Sequence, residues 1–312
     1  MDLELLLFLQ NFREGAGACL ADFLKQMTFL GELSTVLLAF AIIYWCFSRD
    51  FGTYLLMGWS WNRLVNGFLK ITACVYRPWI RDPRIIPYGD SMTTATGYSF
   101  PSGHTTNGGS LFGGIVVRKD RPAALRFIAG IFMVLIGFSR LYLGVHTIQD
   151  VLVGLGCSLL IMWLSFRLMS WLEKNPEKDK MVVLAGLVLA VLLGLYAKLK
   201  PYPVAYDAEG KILVEGAKMA NDTFKDIGYS VGFWIGWFLE RRFVRFSTDI
   251  SVPRRALRFT WGLLAFYAVN LILAPLVKEW IGGPIGTLFS CMVQTFFISF
   301  IFPWCMVHLE KK

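Results

Sequence analysis

Long apolar stretches alternate with short polar connections along most of this chain. A helix needs about 20 mostly apolar residues to cross the roughly 30 Å hydrocarbon layer of a bilayer. Nine stretches are candidates for such helices, near 32–48, 51–69, 101–117, 123–142, 147–173, 181–199, 225–240, 257–279 and 283–308. The pattern therefore predicts an all-α fold, a polytopic membrane helical bundle with about nine transmembrane helices.

The first 31 residues form a separate predicted segment. Their apolar run, Leu3 to Phe12, is too short to span a bilayer and is followed by glycines. We therefore expect an amphipathic helix at the membrane interface. A cleavable signal peptide begins with positively charged residues, but this chain has Asp2 and Glu4 there. We therefore expect that the N-terminal segment is not cleaved off.

Composition supports the membrane interpretation. Hydrophobic residues make up 55% of the chain and charged residues 17%, whereas about a quarter of an ordinary soluble domain is charged. A cytosolic enzyme is therefore not expected, and a mean hydropathy of +0.53 excludes a disordered chain. The six cysteines are scattered without CxxC spacing, so we interpret them as buried small residues rather than a metal site or disulfide framework.

The net charge of +9 is explained by membrane topology, and nucleic acid is not expected as a partner. If nine helices alternate in direction, the loops after odd-numbered helices are the more basic set. This bias becomes clear once Lys70, Arg77 and Arg140 are set aside as site residues and the long 200–226 loop, either a lid or a solvated connection, is discounted. Cytoplasmic loops collect Lys and Arg, so the N-terminus is predicted outside and the C-terminus in the cytoplasm.

Candidate chemistry is concentrated between residues 70 and 150. Lys70 and Arg77 are seven positions apart at the end of the second candidate span, so a helix would place both on one face as an anion site. At the head of the third candidate span stand Ser102, Gly103 and His104. A helix N-terminus there would direct free N–H groups at a phosphate.

The third cluster consists of Arg140, His146 and Asp150, and the last two are predicted to lie together on the helix that starts the fifth candidate span. The last two are four positions apart, so the carboxylate can accept from one imidazole nitrogen and leave the other as a nucleophile. Two crossings fit between His104 and His146, which places all clusters on one side of the membrane. Each of these charged residues, taken alone, is more simply explained as a residue at the membrane interface. Several ionisable residues on one membrane face carry a high free-energy cost, so together they indicate a functional site. His308 lies beside terminal charges and is not expected to take part.

The ordered pattern KxxxxxxRP, PSGH and SRxxxxxHxxxD runs from Lys70 to Asp150 and resembles the type 2 phosphatidic acid phosphatase (PAP2) superfamily. That superfamily includes lipid phosphate phosphatases, polyprenyl diphosphate phosphatases, glucose-6-phosphatases and vanadium haloperoxidases. No position of the signature is altered in this chain. The resemblance therefore implies an active phosphatase rather than a catalytically dead relative.

The resemblance also implies roles for the motif residues. His146 would attack phosphorus to form a phosphohistidine, and Asp150 would orient it. His104 would protonate the leaving group and then activate water. The phosphoryl oxygens would be held by Lys70, Arg77, Ser102, Gly103 and Arg140. No metal and no cofactor are expected, because the cations would neutralise the charge that develops in the transition state.

Three parts of the chain follow from this comparison of motifs. Residues 1–31 are the N-terminal interfacial segment, 32–175 the PAP2-like catalytic core, and 176–312 additional transmembrane helices. The nine-span layout with an outside N-terminus resembles the glucose-6-phosphatase and sphingosine-phosphate phosphatase branches.

The leading hypothesis is an integral membrane phosphatase, a phosphoric monoester or diphosphate hydrolase acting at the extracytoplasmic face. Its substrate would be a phosphorylated lipid that reaches the site from the surrounding membrane lipids: a polyprenyl diphosphate, phosphatidic acid or a sphingoid phosphate. One alternative is a sugar-phosphate phosphatase of the glucose-6-phosphatase kind. The non-enzymatic alternative is a lipid phosphate transporter or scaffold that retains an anion site.

Overall fold

The structure is a computed structural model that describes residues 2–310, and it is all-helical over that range. An isolated β-bridge joins Tyr206 to Ile212, and no β-strand occurs within residues 2–310. Met1, Lys311 and Lys312, which belong to the predicted terminal segments, lie outside the described residues. The predicted all-α class is confirmed.

Helices α1 to α8 precede residue 117 and have these bounds: α1 Asp2–Ala16, α2 Ala18–Thr28, α3 Leu33–Ile42, α4 Arg49–Ala73, α5 Pro78–Arg81, α6 Ser91–Thr94, α7 Gly103–Gly108 and α8 Gly114–Val116. The remaining helices are α9 Ala123–Tyr142, α10 Ile148–Lys174, α11 Asp179–Leu199, α12 Gly216–Leu239, α13 Val252–Ala268, α14 Ala274–Ile281, α15 Gly283–Phe296 and α16 Phe302–Glu310. Short 3₁₀ turns follow α2 and precede α11, and π-helical turns extend or join several of the others.

Helices occupy all the predicted span positions, but fewer are suited to cross a membrane. Five in residues 2–310 are long and apolar enough: Ala123–Tyr142, Ile148–Lys174, Pro176–Leu199, Val252–Ile281 and Gly283–Glu310. The number rises to six if the pair Ala18–Gly31 and Leu33–Phe47, bent by 54° at its break, counts as one span. The described helices thus support a multi-pass membrane protein, and the predicted number of about nine is not confirmed.

Two of the predicted spans fail this test for identifiable reasons. Helix α4 is long enough, but its Ser60, Asn62 and Asn66 are polar and buried within the protein. The helical stretch at 103–116 is about 21 Å long, which is too short for the hydrocarbon layer. Periodicity alone does not separate a helix buried in protein from one that faces lipid.

The chain divides into two compact units. The first unit combines 1–36, 65–163 and 200–219, and the second combines 37–64, 164–199 and 220–312. The predicted segments 1–31, 32–175 and 176–312 are continuous stretches of sequence, and each unit draws on more than one of them. The first unit contains every predicted site residue.

Close helix packing in the second unit depends on a stripe of glycines on α12. Gly228, Gly232 and Gly236 recur at every fourth position. A Cβ at any of them would collide with the helical stretch 283–301, twice with a backbone carbonyl and once with a serine side chain. Small residues at this spacing let two helix backbones approach closely, as membrane helices often do.

Buried charges in the second unit are paired. Arg49 donates to both carboxylate oxygens of Glu240, at 2.9 and 3.0 Å, and the Glu240 side chain is almost completely buried. Arg63 and Asp226 form a second buried ion pair. Such pairing avoids the high cost of leaving a single charge in a low-dielectric interior.

Replacing Gly232 with valine should destabilise the protein, because the added side chain would collide with the backbone of Met292. Overpacking typically costs about 1–3 kcal/mol, so the midpoint of thermal unfolding in detergent should fall by several degrees. The matched control is Gly156→Val on α10, where nothing lies within 4 Å of the added Cβ. Equal losses in the two variants would contradict the packing role of Gly232.

Candidate active site

The first compact unit brings the candidate nucleophile and its carboxylate together. His146 Nδ1 lies 3.3 Å from Asp150 Oδ2, and both side chains are nearly inaccessible. Helix α10 begins at Ile148, so His146 precedes the helix and only Asp150 belongs to its first turn. The prediction that both residues start a span on one helix is therefore corrected, although the pair is in contact.

Asp150 Oδ2 accepts two further hydrogen bonds that fix the carboxylate. The Thr147 amide donates to it at 2.8 Å, and the Ser99 hydroxyl forms a short hydrogen bond with it. Ser99 Oγ is also 3.4 Å from His146 Nδ1. The carboxylate thus joins α10 to the segment that precedes Pro101.

The hydrogen-bond partners define the tautomer of His146. Its Nε2 lies 3.0 Å from a terminal nitrogen of Arg77. A guanidinium only donates, so Nε2 must accept and the ring proton must be on Nδ1, facing Asp150. Burial, with the adjacent Arg77 charge, lowers the pKa of His146, so the ring remains neutral below its ordinary pKa.

Arg77 does not share a helical face with Lys70, contrary to the prediction from their spacing. Helix α4 ends at Ala73, because Cys74 adopts a left-handed conformation with φ of 50°. Arg77 is extended, with ψ of 153°, as expected for a residue that precedes a proline. Its side chain reaches the site from this connection and not from α4.

Lys70 and Arg77 hold the backbone that leads to Pro101. Lys70 Nζ donates to the carbonyls of Tyr98 at 3.1 Å and Pro101 at 2.9 Å. The Arg77 guanidinium donates to the carbonyls of residues 96, 97 and 145. Burial lowers the pKa of Arg77 to about 10. Both cations therefore organise the loops around His146.

Arg140 is in a different situation. It is 3% exposed, its Nε has no hydrogen-bond partner among residues 2–310, and it forms no ion pair within that range. The charges that act on it are those of Arg77 and Glu32. A buried, unpaired cation is costly, so this side chain is suited to receive an anion.

The PSGH motif begins helix α7. The Ser102 side chain accepts from the Thr105 amide and caps the helix, while the Ser102 amide donates to the Asp150 carbonyl at 3.0 Å. Open space lies where a side chain of Gly103 would be. His104 is half-buried, and the positive charges that act on it are those of Arg140, Arg77 and Lys70. The predicted site residues thus converge within one unit.

Two residues near this cluster were not predicted from the sequence. Ser99 lies outside the three predicted clusters, and its position two residues before Pro101 was the available signal. Glu32, at the break between α2 and α3, exerts its charge on Arg140. Nothing in the local sequence connects Glu32 with a motif more than a hundred residues away.

Comparisons with known proteins agree with the motifs. The model of the PAP2 superfamily matches residues 51–174. A second model, the transmembrane extension of PAP2 superfamily phosphatases, matches residues 224–312. The two matched regions include the site and the glycine stripe of α12, respectively.

Two curated relatives are similar to this chain. Phosphatidylglycerophosphatase B of Bacillus subtilis is 34% identical over 121 residues, which are 36% of this chain and 55% of that protein. Sphingosine-1-phosphate phosphatase 2 of Homo sapiens is 24% identical over 222 residues, which are 69% of this chain and 51% of that protein. The chain thus spans about half the length of the curated relatives it matches.

A solved structure is also similar, the crystal structure of a transmembrane PAP2 type phosphatidylglycerolphosphate phosphatase from Bacillus subtilis. Its sequence is 27% identical and its TM-score is 0.44. The similarity covers 54% of this chain and 83% of the solved chain.

Orthovanadate, a tetrahedral oxyanion, should bind to the site and raise the midpoint of thermal unfolding. Arg140→Gln should weaken this binding roughly tenfold or more, because a charge-assisted hydrogen bond contributes about 1.5–3 kcal/mol. Titration of the unfolding midpoint with vanadate measures the effect. Arg167→Gln, which removes an exposed arginine of α10, is the matched control. Unchanged vanadate binding by Arg140→Gln would exclude Arg140 as the anion ligand.

Proposed function

This multi-pass membrane protein belongs to the PAP2 superfamily, and we propose that it hydrolyses a phosphate or diphosphate ester of a lipid through a phosphohistidine intermediate. The observation that carries the proposal is the presence, in one compact unit, of a neutral, oriented His146 and a buried Arg140 that has no anionic partner within residues 2–310. A phosphoryl group would satisfy the cation and present phosphorus to the imidazole.

The first chemical step is attack on phosphorus. The lone pair on His146 Nε2 forms the N–P bond while the bond from phosphorus to the leaving oxygen breaks. The ring gains positive charge, which Asp150 stabilises through Nδ1–H. In the resting site Arg77 donates to this same Nε2. An incoming phosphoryl oxygen would compete for that N–H and release the nucleophile.

His104 completes the proposed cycle. It gives a proton to the leaving oxygen in the first step and takes one from water in the second. The water oxygen then forms a bond to phosphorus, the N–P bond breaks, and its electron pair returns to His146 Nε2. Phosphate leaves, and both histidines regain their starting protonation states.

The proposed chemistry relies on cations for charge neutralisation. Arg140 would bind phosphoryl oxygens directly, and the Ser102 hydroxyl and the Gly103 N–H would add donors at the start of α7. Lys70 and Arg77 would keep positive charge close while they hold the loops. We propose that hydrolysis proceeds without a metal ion, because these residues supply the charge that a metal would supply elsewhere.

A lipid substrate at the extracytoplasmic face is supported by two independent considerations. Both curated relatives are named for phosphorylated lipids, phosphatidylglycerophosphate and sphingosine-1-phosphate. If the nine predicted helices alternate in direction, the distribution of Lys and Arg among the loops favours a cytoplasmic side away from the motifs, with the N-terminus outside and the C-terminus inside.

Purified protein in detergent with EDTA should release phosphate from at least one lipid phosphate. The panel consists of phosphatidic acid, phosphatidylglycerophosphate, sphingosine-1-phosphate, a polyprenyl diphosphate and glucose-6-phosphate. His146→Ala should lower the rate about a thousandfold or more, because the nucleophile is lost. His308→Ala, which removes an exposed histidine, is the control and should retain activity.

The panel also separates the competing functions. Preference for glucose-6-phosphate would overturn the lipid proposal in favour of a sugar-phosphate phosphatase. No phosphate release from any substrate would favour a transporter or scaffold. Phosphate release that EDTA abolishes would contradict metal-independent hydrolysis.

Replacing His104 with alanine should slow hydrolysis most for esters with poor leaving groups. The expected loss is about 10²–10⁴-fold for an alkyl phosphate and much less for p-nitrophenyl phosphate, whose leaving group needs little protonation. Single-turnover rates on the two ester types measure the difference. Equal losses on both would refute the general-acid role of His104.

A further inference from the structure

The N-terminal helices contact the connection between α5 and α6 through a series of polar groups. Gln10 accepts from the Ile86 amide at 2.8 Å and donates to the Arg84 carbonyl at 3.3 Å. Arg13 donates to the Ile86 carbonyl at 2.7 Å and to the Tyr142 carbonyl at 2.9 Å. One buried side chain of α1 thus joins this connection to the end of α9, next to Arg140.

Helix α2 also contacts the connection between α5 and α6 through polar side chains. Its Asp22 accepts a hydrogen bond from Tyr88 at 3.0 Å, and its Lys25 lies 2.6 Å from Asp90. We define residues 82–90 as the clamped loop. Every contact between this loop and the helix pair lies within the first compact unit.

An apolar cluster reinforces these polar contacts. It combines residues of α1 and α2 with residues of the clamped loop, α9 and α10: Leu6, Leu9, Ala21, Leu24, Ile85, Leu141, Tyr142 and Val151. Leu141 directly follows Arg140, and Val151 directly follows Asp150. The position of the helix pair is therefore connected by packing to two residues of the proposed catalytic machinery.

Three phenylalanines of the helix pair are largely exposed, and one of them, Phe12, also makes an edge contact with the ring of Tyr142. Phe8 is 65% exposed, Phe12 53% and Phe23 49%. Phe8 and Phe12 are four positions apart and share a face of α1, on the side away from the buried Leu9 and Arg13. Exposed large aromatic side chains on one face indicate an interaction surface.

The lipid surface is the partner that this side of the helix pair fits. Helix α1 is about 22 Å long, too short to span. It is joined through α2 to α3, and the bent pair Ala18–Gly31 and Leu33–Phe47 is apolar enough to form one broken span, so the helix pair continues into a candidate membrane segment. Exposed Glu4 and Asn11 accompany the phenylalanines, and such a mixture is typical of an interfacial helix.

We propose that the helix pair α1–α2 inserts Phe8, Phe12 and Phe23 into the lipid surface and thereby positions the clamped loop for substrates embedded in that surface. The proposal rests on the lipid phosphatase function proposed above. Contact with lipid fixes the helix pair, the polar contacts of Gln10 and Arg13 transmit that position to the loop, and the loop is held beside the backbone near Arg140. Soluble substrates reach the site without this requirement.

The activity test compares one headgroup in two physical states. The long-chain lipid phosphate hydrolysed fastest in the panel is embedded in phosphatidylcholine vesicles, and its water-soluble short-chain analogue is assayed in detergent. The double variant Phe8→Ser/Phe23→Ser should lose tenfold or more on the embedded lipid and stay within twofold on the soluble analogue. The matched control, Phe243→Ser/Leu309→Ser, removes side chains that are 67% and 72% exposed in the other unit and should be affected on neither substrate.

A spectroscopic test does not depend on turnover. A nitroxide label at Phe8→Cys, with the exposed Cys19 replaced by serine, should collide more often with oxygen than with a water-soluble nickel chelate in proteoliposomes. A label at the exposed Lys119→Cys, in the connection before α9, should show the opposite preference.

The outcomes are distinct. Equal losses on both substrates, or no loss on either, would overturn the proposal, as would greater access of the nickel chelate to position 8. If the parent protein releases no phosphate, the proposed function fails, and the label at position 8 still decides whether the helix pair contacts lipid.

Discussion

The Arg77 guanidinium donates hydrogen bonds to the backbone at residues 96, 97 and 145 and to Nε2 of His146. Three separate parts of the chain therefore meet at one buried cation: the connection after α4, the segment before the PSGH motif and the turn between α9 and α10. Carbonyl oxygens take the place of the water that the cation loses, which makes its burial tolerable. This cation therefore holds the nucleophile beside both loops, together with the hydrogen bonds that Asp150 forms with His146 and Ser99.

The cations of the site have different tasks in the resting protein. Lys70 and Arg77 donate hydrogen bonds to backbone carbonyls, whereas Arg140 is buried and its Nε lacks a hydrogen-bond partner within residues 2–310. Sequence motifs treat the three residues alike, because each is simply a positive charge near a histidine. Lys70 and Arg77 therefore hold the site together, whereas Arg140 is suited to bind an anion. Binding of the substrate phosphate would offset the free-energy cost of burying the Arg140 charge.

The most reliable sequence prediction concerned short-range spacing. Asp150 follows His146 by four positions, and the two side chains meet even though the helix begins between them. The spacing of Lys70 and Arg77 misled, because a left-handed residue and a proline end the helix where periodicity would continue it. The predicted number of spans is not confirmed for a related reason: an apolar helix packed against protein and one exposed to lipid have similar composition.

Composition, periodicity and short fixed spacings were sufficient to predict the helical class, the membrane character, the family and the identities of the motif residues. Tertiary structure decided that Ser99 joins the hydrogen bonds of Asp150, that Glu32 acts on Arg140, and that the N-terminal helices clamp residues 82–90. Each of these interactions joins residues more than fifty positions apart. Their pairing depends on how helices pack in three dimensions, and no local pattern of polar and apolar residues encodes which distant side chain a given donor will meet.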